Sequence, residues 1–225
     1  MSVTIEVLAE LAPNGVIRAA VNVANAVLAR VDNLTGKFSG RSVDIARKLA
    51  AETGCSLSIV KYESAASIIA ATDKDEWDIA FIAADPARTD RFVFSTPYTF
   101  VVATFLVPDN SPLSTVADVD KEGCRISAPA EAAYTKQLER QLEHAVIVPT
   151  QSPIAALEAL KSGKSDAAAG LVEPLRRFAD ENAGFRVLPD AFSKIPQSIA
   201  VGHSKRHSSA YLESFVKQEL GGEVA

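Results

Sequence analysis

The chain has 225 residues, 48% of them hydrophobic and 23% charged, a composition that supports a buried core. Its formal net charge is -5, with Lys and Arg scattered rather than massed, which argues against a nucleic-acid or anionic-membrane surface and points to a small partner. No stretch approaches the run of about 18 apolar residues that spans a bilayer. Residues 1–10 lack the basic start and long apolar run of a secretory signal, so the expected compartment is periplasmic if a leader has been removed and cytoplasmic if Met1 is the native start.

Taken in order, strand and helix signals alternate. The turn at Pro13-Asn14-Gly15 precedes an apolar run over 16–21, a first strand. Residues 22–40 are irregular, and Asp32-Asn33 and Thr35-Gly36 predict a turn between short extended pieces. Ser42 is placed to cap a helix through Thr53, with Gly54 as its stop. A strand over 56–60 and a short helix over 64–72 follow.

Residues 78–98 read DIAFIAADPARTDRFVFSTPY, the stretch around which the rest is organised. Four apolar residues, long enough for a buried parallel strand, end at Asp85-Pro86, because the residue before proline is pushed out of helical geometry. Arg88 therefore falls just beyond the carboxyl end of a strand, the edge at which open α/β sheets bind ligands. A long apolar run over 100–107 then meets the turn-rich stretch 108–112, a first candidate crossing between lobes.

A second series follows: strand 125–128, helix 130–142, strand 145–148, helix 153–162 ended by Gly163, strand 166–170 and helix 172–179. Extended runs over 185–188 and 198–201 flank a second candidate crossing, and a last helix is expected over 208–220. This alternation implies α/β architecture with mainly parallel sheets covered on both faces, in two lobes: 1–105 with 193–225, and 106–192. Cys55 and Cys124 are too few for a disulfide framework and sit in no CxxC spacing. His203 and His207 have helical spacing but no acidic third ligand, so they, like His144, suggest no metal site.

The order of G-R-S-V-D-I-A before a helix, W-D-I-A-F-I followed by D-P-A-R, F-S-T-P-Y closing a strand, and A-L-E-A-L-K-S-G-K-S-D-A-A-A-G late in the chain resembles the type-2 periplasmic solute-binding proteins of the polar amino-acid uptake class, the bacterial extracellular solute-binding proteins of family 3. The resemblance runs from about Ile17 to Leu220. It implies a two-lobed clamshell, each lobe a mainly parallel sheet flanked by helices, joined by two crossing segments. Such a clamshell closes over a small anionic or zwitterionic solute and delivers it to an ABC transporter permease; a monomer without cofactor is expected.

In that likeness Arg88 is the arginine that holds the ligand's carboxylate. A guanidinium matches a carboxylate with two parallel charge-assisted bonds; the alternative is a surface arginine paired with Asp85 or Asp90. Relatives usually place hydroxyls before this arginine, where Ala83, Ala84 and Asp85 stand here. The second-lobe helix start, whose amides face the ligand in relatives, aligns with Glu131-Ala132 after Ser127-Ala128-Pro129. The acid that receives the ligand's ammonium aligns with Leu171, and Glu173, two residues on, is either its substitute or a first-turn acid favoured by the helix dipole.

The first-strand exit offers Asn22, Asn25 and Arg30 in place of an aromatic platform, and Arg41 follows Gly40. Arg30, Arg41 and Arg88 together suit a dianion, phosphate-like or dicarboxylate ligand; each alone is a solvated surface cation. Glu63, Ser64, Thr150 and Gln151 fall at other strand exits, as cleft-lining polar groups or as helix caps. The leading expectation is a binding protein without catalysis. The runner-up is a lyase on the same scaffold, resembling the relatives that dehydrate cyclohexadienyl acids, with Glu173 as a buried general acid. A third reading is a ligand sensor that lost transport.

Overall fold

The structure, a computed structural model, describes residues 3–130 and 132–219. In chain order its elements are α1 (Ile5–Leu11), β1 (Val16–Asn22), β2 (Arg30–Val31), β3 (Phe38–Ser39), α2 (Arg41–Thr53), β4 (Ser56–Tyr62), α3 (Ala65–Ala70), β5 (Ile79–Ala83), β6 (Phe92–Phe94) and β7 (Thr99–Pro108). These are followed by β8 (Arg125–Pro129), α4 (Ala133–Gln141), β9 (Val146–Thr150), α5 (Pro153–Lys161), β10 (Ala167–Leu171), α6 (Val172–Glu181), β11 (Phe185–Val187), β12 (Ser193–Gly202) and α7 (Arg206–Glu219). The chain divides into two compact units, Met1–Phe100 with Pro196–Ala225, and Val101–Ile195. The turn-rich stretch 108–112 lies within the second unit, where Asp109 N donates to Gly184 O and Ser111 N to Pro108 O, both at 2.9 Å.

In the first unit the strand order is β4-β1-β5-β12, with β6 on β12. β1 runs parallel to β4 and β5, and β12 antiparallel to β5. Ile17, Ala19, Ala20 and Val21 of β1 are all buried, as a strand covered on both faces requires. On one face Leu11, Leu49 and Phe215, from α1, α2 and α7, pack with Ile79 and Ile199; on the other Ile68 of α3 packs with Trp77, Ile82 and Phe92. Burial of each such aliphatic or aromatic side chain contributes about 1.5–3 kcal/mol.

The second unit repeats the plan with the order β7-β10-β8-β9 and β11 on β7. β8 is parallel to β9 and β10, and β7 is antiparallel to β10. Leu138 of α4 packs with Phe105 and Ile126 on one face; Leu160 of α5 and Leu175 of α6 pack with Leu106 and Ala168 on the other.

Three local expectations change. Ser42 does not cap α2: the helix begins two residues earlier than that cap implies, its cap is Gly40 at φ +117°, and no side chain caps it. The reason is a close approach. A Cβ at Gly40 would collide with the Leu28 carbonyl oxygen, which accepts from Ser42 N at 3.0 Å. Ser42 itself is buried and its hydroxyl lies 2.8 Å from that of Tyr98.

Second, α1 has no counterpart among the predicted elements. Only Val7 and Leu11 of its seven residues are buried, too few for a readable period, and it is held by tertiary contact, Glu10 accepting from Ser208 N at 2.8 Å. Third, β12 is 10 residues long, where only 198–201 is apolar enough to read. Leu220, the expected end of the last helix, lies outside the described residues.

Candidate functional site

The parallel strands of the first unit end along one edge of its sheet. β1 exits at Asn22, β4 at Tyr62 and β5 at Ala83, while Gln197 of β12 stands opposite Ala83 and Pro196 O accepts from Ala84 N at 3.0 Å. The structure thus brings Asn22, Ser64, Ala83, Asp85 and Arg88 to one edge. Gln197 and Pro196 join them through antiparallel pairing, which no local pattern announces.

Arg88 closes a single 3-10 turn, Pro86–Arg88, capped by Asp85, whose carboxylate accepts from Ala87 N at 3.0 Å. Its side chain is 29% exposed. The contacts of its guanidinium are loose: Nη1 donates to Ala83 O at 3.4 Å, and Nε stands 3.6 Å from Asp85 Oδ2, beyond hydrogen-bond distance. With five N–H donors on its fork, Arg88 keeps capacity for a carboxylate.

Asn22 turns its side-chain oxygen to Ala24 N at 3.0 Å. Asn25 leads the turn whose Leu28 carbonyl meets the start of α2, so Asn25 and Arg41 come to neighbouring backbone; the Asn25 side-chain oxygen is buried without a hydrogen-bond partner. Arg41 is exposed, and its charge acts on the buried Tyr98 phenol. Burial pushes that phenol above the usual tyrosine range, against the opposing pull of Ser42 and Arg41. Arg30 is exposed on the β2-β3 hairpin, its Nε donating to the Ser39 hydroxyl at 3.1 Å. Ser64 is the cap of α3, accepting from Ser67 N at 3.0 Å, and Glu63 pairs with Lys61 at 2.7 Å.

In the second unit Ser127 sits mid-strand and fully buried. Its hydroxyl donates to Ala156 O at 2.8 Å and accepts from Ser165 at 2.9 Å, a packing role that ties β8 to α5. Thr150 ends β9 and donates to Ser152 O at 3.1 Å; Gln151 is exposed. Ala132, just before α4, supplies no side-chain cap, and Glu131 lies outside the described residues. Leu171 ends β10 and precedes α6 without a side-chain cap. Glu173 is 64% exposed and stands 3.6 Å from Arg176 one turn on.

Several solved structures share this fold over nearly the whole chain. An ancestral cationic amino-acid solute-binding protein has a TM-score of 0.77 at 20% identity, covering 96% of this chain and 94% of its own. An amino acid ABC transporter substrate-binding protein from Streptococcus pneumoniae, bound to L-arginine, scores 0.73 at 21% identity, with 97% and 92% covered. An ancestral amino-acid-binding protein described as a precursor of cyclohexadienyl dehydratase scores 0.74 at 20% identity, with 96% and 94% covered. No curated protein matches the sequence. Residues 17–122 match the bacterial extracellular solute-binding proteins, family 3.

Over nearly its whole length the chain has the fold of the type-2 periplasmic binding proteins, and residues 17–122 match family 3 of the bacterial extracellular solute-binding proteins. The matched segment takes in Arg88, Arg41 and the β1, β4 and β5 exits of the first unit, and it ends before α4, Leu171, Glu173 and the β12 residues Pro196 and Gln197.

Proposed function

We propose that this chain is a solute-binding protein that closes, without catalysis, on a small carboxylate-bearing solute, an amino-acid-like molecule or an organic acid, and hands it to an ABC-type transporter. The observation that carries the reading is Arg88: a partly exposed guanidinium at the carboxyl edge of parallel strands, with one 3.4 Å hydrogen bond and one 3.6 Å ion pair. A ligand that meets both units only in their closed arrangement would bias that arrangement by population shift. Two similar structures, a cationic amino-acid solute-binding protein and a substrate-binding protein bound to L-arginine, support an amino-acid-like solute. The test is a thermal-shift screen of amino acids, oxo acids, dicarboxylates and phosphate esters, repeated on Arg88→Ala. A ligand present at 100 times its Kd adds about 2.7 kcal/mol.

The lyase reading draws on the relative named as a dehydratase precursor. It needs a shielded acid, and Glu173, 64% exposed beside Arg176, is solvated. Turnover of a cyclohexadienyl acid that Glu173→Gln abolishes would restore that reading over simple binding. Retention of ligand binding without any permease partner would favour the sensor.

A further inference from the structure

Residues 84–91 carry Arg88 between β5 and β6, and the guanidinium's own contacts are too loose to fix it. Its orientation therefore rests on what holds the backbone beneath it. At the entrance Ala84 N donates to Pro196 O at 3.0 Å. Within the loop Arg88 N donates to Asp85 O at 2.9 Å and the Thr89 hydroxyl to Pro86 O at 2.8 Å. These bonds close the turn on itself without tying its far side to the sheet.

That tie comes from His203, the residue after β12. Its backbone N donates to Arg91 O at 3.2 Å, and its Nε2 stands 2.7 Å from the carbonyl oxygen of Thr89, the residue next to Arg88. A carbonyl only accepts, so Nε2 carries the proton of this bond. Arg91 also pairs with Asp73 at 3.1 Å, but Asp73 is 87% exposed, and exposed pairs restrain little. Since Val201 and Gly202 are in register with Val93 and Phe92, the backbone beneath His203 is fixed by the sheet. His203 is itself exposed, so its side chain acts as a strut only through this short bond and the fixed backbone beneath it.

We propose that His203 is a positioning residue for Arg88: its imidazole, acting through the Thr89 carbonyl, holds the loop so that the guanidinium stays at the sheet edge, ready for a carboxylate. The proposal rests on the ligand reading above for its functional consequence and on the loop geometry alone for its physical content. Without the strut the loop samples arrangements in which Arg88 is misdirected, and apparent affinity falls with the competent fraction.

The test compares the full chain with His203→Ala, His203→Gln and Arg88→Ala. Hydrogen exchange over residues 84–92 is measured first, then calorimetric titration with L-arginine and with succinate. His203→Ala is expected to speed exchange in 84–92 while α2 and β1 keep theirs. It should weaken the probe that binds by about two- to tenfold, the range a single net hydrogen bond allows. His203→Gln, which carries an N–H where Nε2 stood, should restore both.

Unchanged exchange in His203→Ala overturns the proposal whether or not a probe binds. Faster exchange with parental affinity, for a probe that Arg88→Ala weakens, overturns it as well. If Arg88→Ala binds as tightly as the parent, or neither probe binds, the ligand reading fails separately, and exchange alone decides whether His203 holds the loop.

Discussion

Arg18 donates its backbone N–H and its Nε to the same oxygen of Asp78, at 2.9 and 3.0 Å, and its Nη2 to the other oxygen at 2.9 Å. The second unit repeats the grip: Arg125 holds Asp166 through N, Nε and Nη2 at 2.9, 3.1 and 2.9 Å. In each case the aspartate precedes a central parallel strand, β5 or β10, and the arginine lies on the strand beside it. The two differ in solvent. Asp78 is 2% exposed, whereas Arg125 and Asp166 are 46% and 42% exposed.

Removing one partner of a buried pair leaves a charge without its counter-ion. Arg18→Ala is therefore expected to cost about 3 kcal/mol or more, moderated by Lys205, whose Nζ lies 3.5 Å from Asp78. Arg125→Ala should cost about 1 kcal/mol or less, as exposed pairs do. Urea unfolding of both variants decides it, and equal losses would contradict the burial argument.

Gly40 is the second test. At φ +117° and against the Leu28 carbonyl, a methyl group meets both backbone strain and a collision, so Gly40→Ala should lose about 2 kcal/mol or more. Gly54, at φ +70° with nothing within 4 Å of a built Cβ, stops the same helix. Gly54→Ala should lose only about 1 kcal/mol, the left-handed penalty alone. Circular dichroism melts rank the two, and the reverse order would remove the close-approach account of the α2 start.

Acid should loosen the second unit through particular carboxylates. Asp120 accepts from Ala145, Glu143 and His144 amides, and these bonds, Ala145 first, hold its carboxyl below the ordinary 3.8. Asp166 is lowered chiefly by its bond from Arg125. A depressed carboxylate contributes stability that is complete above its unfolded value and is lost as pH falls through the folded one. Denaturation midpoints should thus hold from neutrality to about pH 4 and fall below it. Asp120→Asn, less stable at pH 7, should show a shallower fall, and an unchanged slope would exclude Asp120 from the acid response.

For ligand binding, Arg88→Ala should reduce affinity for the best compound by at least about tenfold, since each charge-assisted bond contributes about 1.5–3 kcal/mol. Its unfolding midpoint should stay near the parent's, because the side chain makes only loose contacts. Arg88→Lys should recover part of the affinity, as a point charge lacks the planar fork. Parental affinity in Arg88→Ala, measured by calorimetry, would remove this residue from the site.

What the sequence by itself determined is the alternation of elements and the position of Arg88 at a strand exit. Apolar runs such as IAFI, stopped by Asp-Pro, and Gly54 at a helix end are local signals, set by backbone sterics within a few residues. Ser64 shows the limit: its hydroxyl fitted a cap and a ligand contact equally well in sequence, and the structure engages it with Ser67. Ser42 and Ser127 also looked available. Folding buries both, one against Tyr98, 56 residues away, the other against Ala156, 29 residues away.

Only the tertiary structure decided those partners, and with them α1, the Gly40 approach to Leu28, the exposure of Glu173 and the grip of His203 on the arginine loop. Each depends on which distant backbone a side chain meets, and hydrophobic periodicity carries the direction of burial without naming the neighbour.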